Sequence, residues 1–220
     1  MTTTDHLIES LVDHLAPVQP LAPPAVRATR LIVLATVLIT LLAAARGLRA
    51  DLDQRLVEPD FVVALLGSWL TGVTGTLAAL SIGLPDRSRR WFLLPLPAFL
   101  VWVWGVGAGC LGHWVAIPTG APIVADSVRC LETLVMASVP LALVLWRMLR
   151  RSRPLRAANT AWLGALAVAG FADTAHLLIH VVDPTALVLV MNLGVTGLIL
   201  VGCGIVGSWR GGRLLGSPGR

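Results

Sequence analysis

Six long apolar stretches, separated by short polar loops, leave this chain few folds to choose from. They run over about residues 31–48, 61–84, 91–115, 127–147, 160–182 and 186–209, and each approaches the roughly 20 apolar residues that a helix needs to cross a hydrocarbon core. With 56% hydrophobic and 13% charged residues in 220, the chain lacks the polar surface of a water-soluble domain. The expected fold is all-α: a polytopic membrane protein of six transmembrane helices (residues 27–220) preceded by a short cytoplasmic head (residues 1–26).

Charge orients the bundle. All 17 basic residues are Arg, which reads as a compositional bias of the genome, so the high isoelectric point is no sign of direct nucleic-acid binding. Cytoplasmic loops collect basic residues. One side would hold Arg27 and Arg30, Arg87, Arg89 and Arg90, Arg147 to Arg156, and Arg210, Arg213 and Arg220. The other side would hold Arg46, Arg49, Arg55 and Arg129, diluted by Asp51, Asp53, Glu58 and Asp60. Both termini are therefore expected in the cytoplasm. Trp91, Trp114, Trp146 and Trp209 stand at span ends, where an amphipathic ring suits the lipid interface. Glycine pairs such as Gly105 and Gly109 read as close helix packing. No basic region directly precedes an apolar run at the start of the chain, so no cleaved signal peptide is expected.

The head differs from everything after it. It carries Asp5, Glu9 and Asp13 and no basic residue. Leu7, Ile8, Leu11, Val12 and Leu15 recur at the spacing of one helix face, so an amphipathic helix is expected over residues 5–15. Thr3 or Thr4 can cap it and Asp5 suits its positive end. Pro17 and Pro20 end it, and Pro23 with Pro24 stiffens the link into the first span. A lone helix of about 12 residues is marginal in water and needs a surface to fold against. Membrane lipids are a poor surface for an acidic helix. The chain's own Arg-rich loops and a basic protein partner remain.

The run from Asp5 to Arg27, DHLIESLVDHLAPVQPLAPPAVR, followed by six spans in about 200 residues, resembles the NrsF family of proteobacterial membrane anti-sigma factors. The Leu-Ile pair, Asp13, the Ala-Pro-Val step and the Pro-Pro-x-x-Arg lead into span one carry the likeness, with Ser127-Val-Arg-Cys130-Leu at the start of span four. The resemblance implies that the head sequesters an extracytoplasmic-function (ECF) sigma factor and that the membrane domain releases it on a stress signal. Because sigma factors bind polyanionic DNA, their surfaces are commonly basic, and an acidic helix with an apolar stripe can compete for one.

Polar residues inside spans mark function by default, and here they gather toward the outer face. Cys110 and His113 end span three, Cys130 and Glu132 begin span four, and Asp173, His176 and His180 share one side of span five. Asp173, His176 and His180 could hold a divalent metal such as zinc, or Asp173 and His176 could satisfy each other inside the bundle. Cys110 and Cys130 bracket about 20 residues, and a disulfide closing that loop would contribute roughly 3 kcal/mol; alternatively both pack as small hydrophobes. The resemblance implies that thiol oxidation or metal ligation is the sensing event. This chain departs from the family's His-Cys-Pro type stretch at the end of span five, where it has His180-Val181-Val182-Asp183-Pro184.

Two other classes compete. A membrane thiol oxidoreductase would need a closely spaced cysteine pair, and the chain has none. A small proton- or metal-coupled transporter could use Glu132, Asp173 and His176, with Pro95, Pro97 and Pro140 breaking spans three and four. Neither explains the acidic head, and no nucleotide-binding or hydrolase motif is present; a non-enzymatic regulator is expected.

Overall fold

The computed structural model describes residues 3–13, 22–84, 88–113, 123–152 and 157–180. All regular structure among them is helical: α1 (Thr3–Asp13), α2 (Pro24–Arg46), α3 (Leu52–Arg55), α4 (Pro59–Ile82), a 3-10 turn (Arg89–Leu93), α5 (Leu96–His113), α6 (Ile123–Ser152) and α7 (Ala157–Ile179). Five of these, α2, α4, α5, α6 and α7, contribute segments long and apolar enough to cross a bilayer. The sixth expected span, 186–209, lies outside the described residues.

The long helices alternate in direction. The start of α2 and the ends of α4 and α6 define a near end, and the end of α2 with the starts of α4 and α6 a far end. α4 and α7 form the central pair; α5 packs on α4, while α2 and α6 pack against each other and α7, with α2 also touching α4. Ala28, Leu31, Ala35 and Ile39 form the inner stripe of α2, and meet Leu80 of α4, Leu134, Ala137, Leu141 and Leu145 of α6, and Val168, Phe171, Ala172 and Ala175 of α7. A second cluster joins Phe61 and Ala64 of α4 to Trp102 and Val106 of α5 and Ala169 and Leu177 of α7. The outward surface is itself apolar: Val33, Val37, Leu41, Leu66, Leu100, Trp104, Val139, Leu143 and Trp162 are all exposed. In water such a surface would aggregate; in hydrocarbon it is what a spanning helix presents.

Small residues let the central helices approach. A Cβ added to Gly67 would lie 2.6 Å from the backbone nitrogen of Trp102, and one on Gly105 would lie 2.5 Å from that of Ala64. On the other side of α4, a Cβ on Gly170 would meet the Ser68 carbonyl oxygen at 2.5 Å, and one on Gly75 would touch Ala167. Lipid tails are as apolar as Leu, so such close backbone contact, rather than hydrophobic burial, holds spanning helices together. Hydroxyls support it: Ser68 and Thr174 bond across α4 and α7 at 2.9 Å.

Several element bounds differ from the sequence expectation. α2 starts seven residues before 31, because Pro24 is well tolerated in a first helical turn. This draws Arg27 into the bundle, where it is buried and donates from its guanidinium to the Met148 carbonyl of α6. α1 starts at Thr3, so Thr3 and Thr4 are first-turn residues rather than its cap. The stretch expected as one span from residue 91 divides at Pro95 into the 3-10 turn Arg89–Leu93 and α5 from Leu96. Pro97 sits in the first turn of α5, where no intrahelical donor is lost, and α6 runs on through Pro140 as one 30-residue helix, so the breaks a transporter could use are absent at these two prolines.

Candidate functional site

Two regions carry the polar chemistry. The first is the head. Eleven residues of α1 present Ile8, Leu11 and Val12 at 55%, 60% and 58% exposure. Asp5 and Glu9, one turn apart, are exposed beside that stripe. The side chains of Leu7 and Asp13, and the whole of Leu15, lie outside the described residues.

The second region lies toward the far end, around the last turns of α7. Asp173 is buried, and its Oδ2 accepts a hydrogen bond of 2.7 Å from the Trp102 indole of α5. One turn on, the buried His176 ring lies 4.9 Å from that of His180, centroid to centroid. His180 Nε2 in turn meets the Thr133 hydroxyl of α6 at 2.8 Å. Thus Asp173 and His176 lie one turn apart on α7 and His180 directly follows its last residue, its amide still bonded to the His176 carbonyl, while side-chain bonds reach α5 from Asp173 and α6 from His180. Among the described residues no group of three His, Cys, Asp or Glu side chains could hold a metal ion. The side chains of Cys110, His113 and Cys130 lie outside the described residues, although the backbone places Cys130 one turn before Thr133 on α6.

A loop from α2 to α4 closes this end. Gly47, with φ of 84°, turns the chain after α2 in a conformation that disfavours other residues. The Arg49 amide then donates to the carbonyl of Leu178 in the last turn of α7 at 3.1 Å, satisfying a carbonyl that a helix end leaves open. The Arg49 guanidinium is buried over the Phe61 ring and makes two bonds of 2.8 Å to the Asp51 carboxylate. Those bonds hold the Asp51 carboxyl well below its ordinary range. Arg55 bridges Asp51 to Glu58. Glu132 of α6 does not point into the cluster but pairs at 2.8 Å with Arg46, at the end of α2.

The sequence reading did not single out Trp102, Thr133, Ser68, Thr174 or the pair Arg49 and Asp51. A signal for Trp102 was available: it sits mid-span rather than at an interface, and a buried indole N–H needs an acceptor.

A comparison with protein-family models matches residues 11–215 to NrsF, negative regulator of sigma F. The chain belongs to the NrsF family. The match opens at Leu11, so it takes in only the last residues of α1 and leaves Asp5, Ile8 and Glu9 outside, while it includes Asp173, His176 and His180 of the far-end cluster. Comparison with curated proteins and with solved structures returns no match. As an NrsF protein the chain falls among negative regulators of a sigma factor, and nothing in that description calls for catalysis.

Proposed function

We propose that this NrsF protein is a membrane-bound anti-sigma factor that holds an ECF-type sigma factor at the bacterial inner membrane through α1. Both termini are cytoplasmic in this reading, supported by the count along the sequence of thirteen arginines in the segments expected inside against four in those expected outside. The observation that carries it is the exposed apolar stripe of α1, Ile8, Leu11 and Val12, bordered by acidic residues. An 11-residue helix in water does not sustain itself. A basic partner with an apolar groove supplies what it lacks, with charge speeding encounter and burial slowing release.

The far-end region is the proposed receiving site for an envelope, redox or metal signal, through Cys110, His113, Cys130, Glu132, Asp173, His176 and His180. Support comes from the packing: α6, which carries Cys130 and Thr133 at the far end, also carries Met148, the acceptor for Arg27, at the near end. A displacement of α6 would therefore be felt at the residue that leads into the head. A divalent metal at this site would draw on His176, His180 and Asp173, with the cysteine thiols or His113 as further donors.

The test is affinity capture from native membranes with the intact protein and with Ile8→Glu/Leu11→Glu, identifying bound proteins by mass spectrometry. The reading expects a sigma factor with the intact head only. A sigma factor bound equally by both forms, or by neither, refutes binding through α1.

A further inference from the structure

Charge is treated differently at the two ends of the bundle. At the far end Arg46, Arg49 and Arg55 are all held in ion pairs, with Glu132, Asp51 and Glu58. At the near end Arg30, Arg90, Arg147, Arg150 and Arg151 are exposed, and among the described residues no ion pair involves any of them. Arg30 lies on α2 and three others on the last turns of α6. These two helices are joined at this end by Arg27 and Met148. Exposed apolar groups stand among the arginines: Val26 on α2, and Trp146 on α6 with the Arg150 guanidinium 4.5 Å above its ring.

By chain order, the acidic residues expected on this side are Asp86 and the three of the head, Asp5, Glu9 and Asp13. We propose that, when no protein partner holds it, α1 docks across this basic rim of α6 and α2, so that rim and partner compete for one helix. Only the identity of the competitor rests on the anti-sigma reading.

The fit is one of charge, pattern and reach. Asp5, Glu9 and Asp13 recur every four residues, forming an acidic edge about 12 Å long at 1.5 Å per residue. The apolar stripe of Ile8, Leu11 and Val12 adjoins that edge, as Val26 and Trp146 adjoin the arginines. Between Asp13 and Pro24 lie ten residues that include Pro17, Pro20 and Pro23. Extended at about 3.1 Å per residue they reach roughly 30 Å, more than the distance across a few helices. Tethering at that length gives a local concentration of about millimolar. Weak pairings therefore suffice to occupy the rim, yet leave the helix free to be taken by a tighter binder. Anionic lipid headgroups share the carboxylates' attraction to these arginines.

The test places a photoreactive p-benzoylphenylalanine at position 12 of the full-length protein in nanodiscs of phosphatidylcholine alone, with no partner present. Cross-links within one chain to residues 143–152 or 26–30 are expected. The triple variant Asp5→Arg/Glu9→Arg/Asp13→Arg should lower their yield about tenfold, the sum of a few exposed pairs, and added sodium chloride should act in the same direction. Since the variant alters only the head, loss of yield cannot come from an unfolded bundle. Phosphatidylglycerol in the disc should reduce the yield by competition. Cross-links chiefly to lipid or to a second copy, or a yield unchanged by charge reversal and salt, would overturn the proposal. With no sigma factor in the sample, that failure is distinct from failure of the capture experiment.

Discussion

Gly170→Ala is the smallest change that tests whether backbone contact holds α4 to α7. The added methyl would sit 2.5 Å from the Ser68 carbonyl oxygen and 2.8 Å from the Gly72 nitrogen. Both are backbone atoms of one helix, so no side chain can swing aside; the two helices must separate by about an ångström at that point. Overpacking of this kind costs about 1–3 kcal/mol, and separation would also weaken the neighbouring Ser68 to Thr174 bond. Alanine's better helix propensity returns up to about 1 kcal/mol in a soluble reference, leaving a net loss of about 1–2 kcal/mol. Gly107→Ala is the matched control, because no described atom lies within 4 Å of the position its Cβ would take; its stability should be unchanged or slightly raised. Reversible unfolding in mixed micelles, followed by tryptophan fluorescence, measures both. A Gly170→Ala protein as stable as the parent, or an equal loss for Gly107→Ala, would refute the close-approach account.

Other outcomes follow from single contacts. Trp102→Phe removes the donor to a buried carboxylate and should cost about 1.5–3 kcal/mol, with much of the loss recovered when Asp173→Leu is added; unfolding midpoints of the three proteins decide this. Ser68→Ala and Thr174→Val in a double-mutant cycle should show a coupling of roughly 0.6 kcal/mol, typical of hydroxyl bonds between spanning helices. Asp51, held by Arg49 below its ordinary range, contributes stability that is complete above the unfolded carboxylate value of about 4 and is lost as pH falls toward the lower folded value. The gap in unfolding midpoint between parent and Asp51→Asn should therefore be constant at neutral pH and shrink below about pH 4. A gap that widens in acid would contradict the pairing. Arg27→Gln should loosen the near end, seen as faster hydrogen exchange in the last turn of α6.

The five described spans were legible because a bilayer-crossing helix is set by length and apolarity, which single residues state directly. The amphipathic head was legible for a similar reason: period and charge sign are local properties. Pairings across helices were not. That Asp173 would take Trp102, that Glu132 would turn to Arg46, and that Arg27 would enter the bundle depend on which helices neighbour one another, and one sequence does not encode that in any spacing. The small residues of α4, Gly67 toward α5 and Ser68, Gly72 and Gly75 toward α7, were visible in principle, but they are interleaved with Trp69, Leu70 and Val73, so the apolar run masked them. The prolines that a transporter could have used to break spans do not all act alike: Pro95 separates a 3-10 turn from α5, whereas Pro97 lies in an opening turn and Pro140 is carried inside α6.

The measurement that bears most directly on the central claim is made in the cell. Strains lacking the protein are complemented with the parent chain or with Ile8→Glu/Leu11→Glu at equal abundance in the membrane, and their transcripts are sequenced. If α1 holds a sigma factor inactive, the variant strain raises one coherent set of promoters that the parent keeps low. Identical transcript profiles in the two strains would contradict negative regulation through this helix.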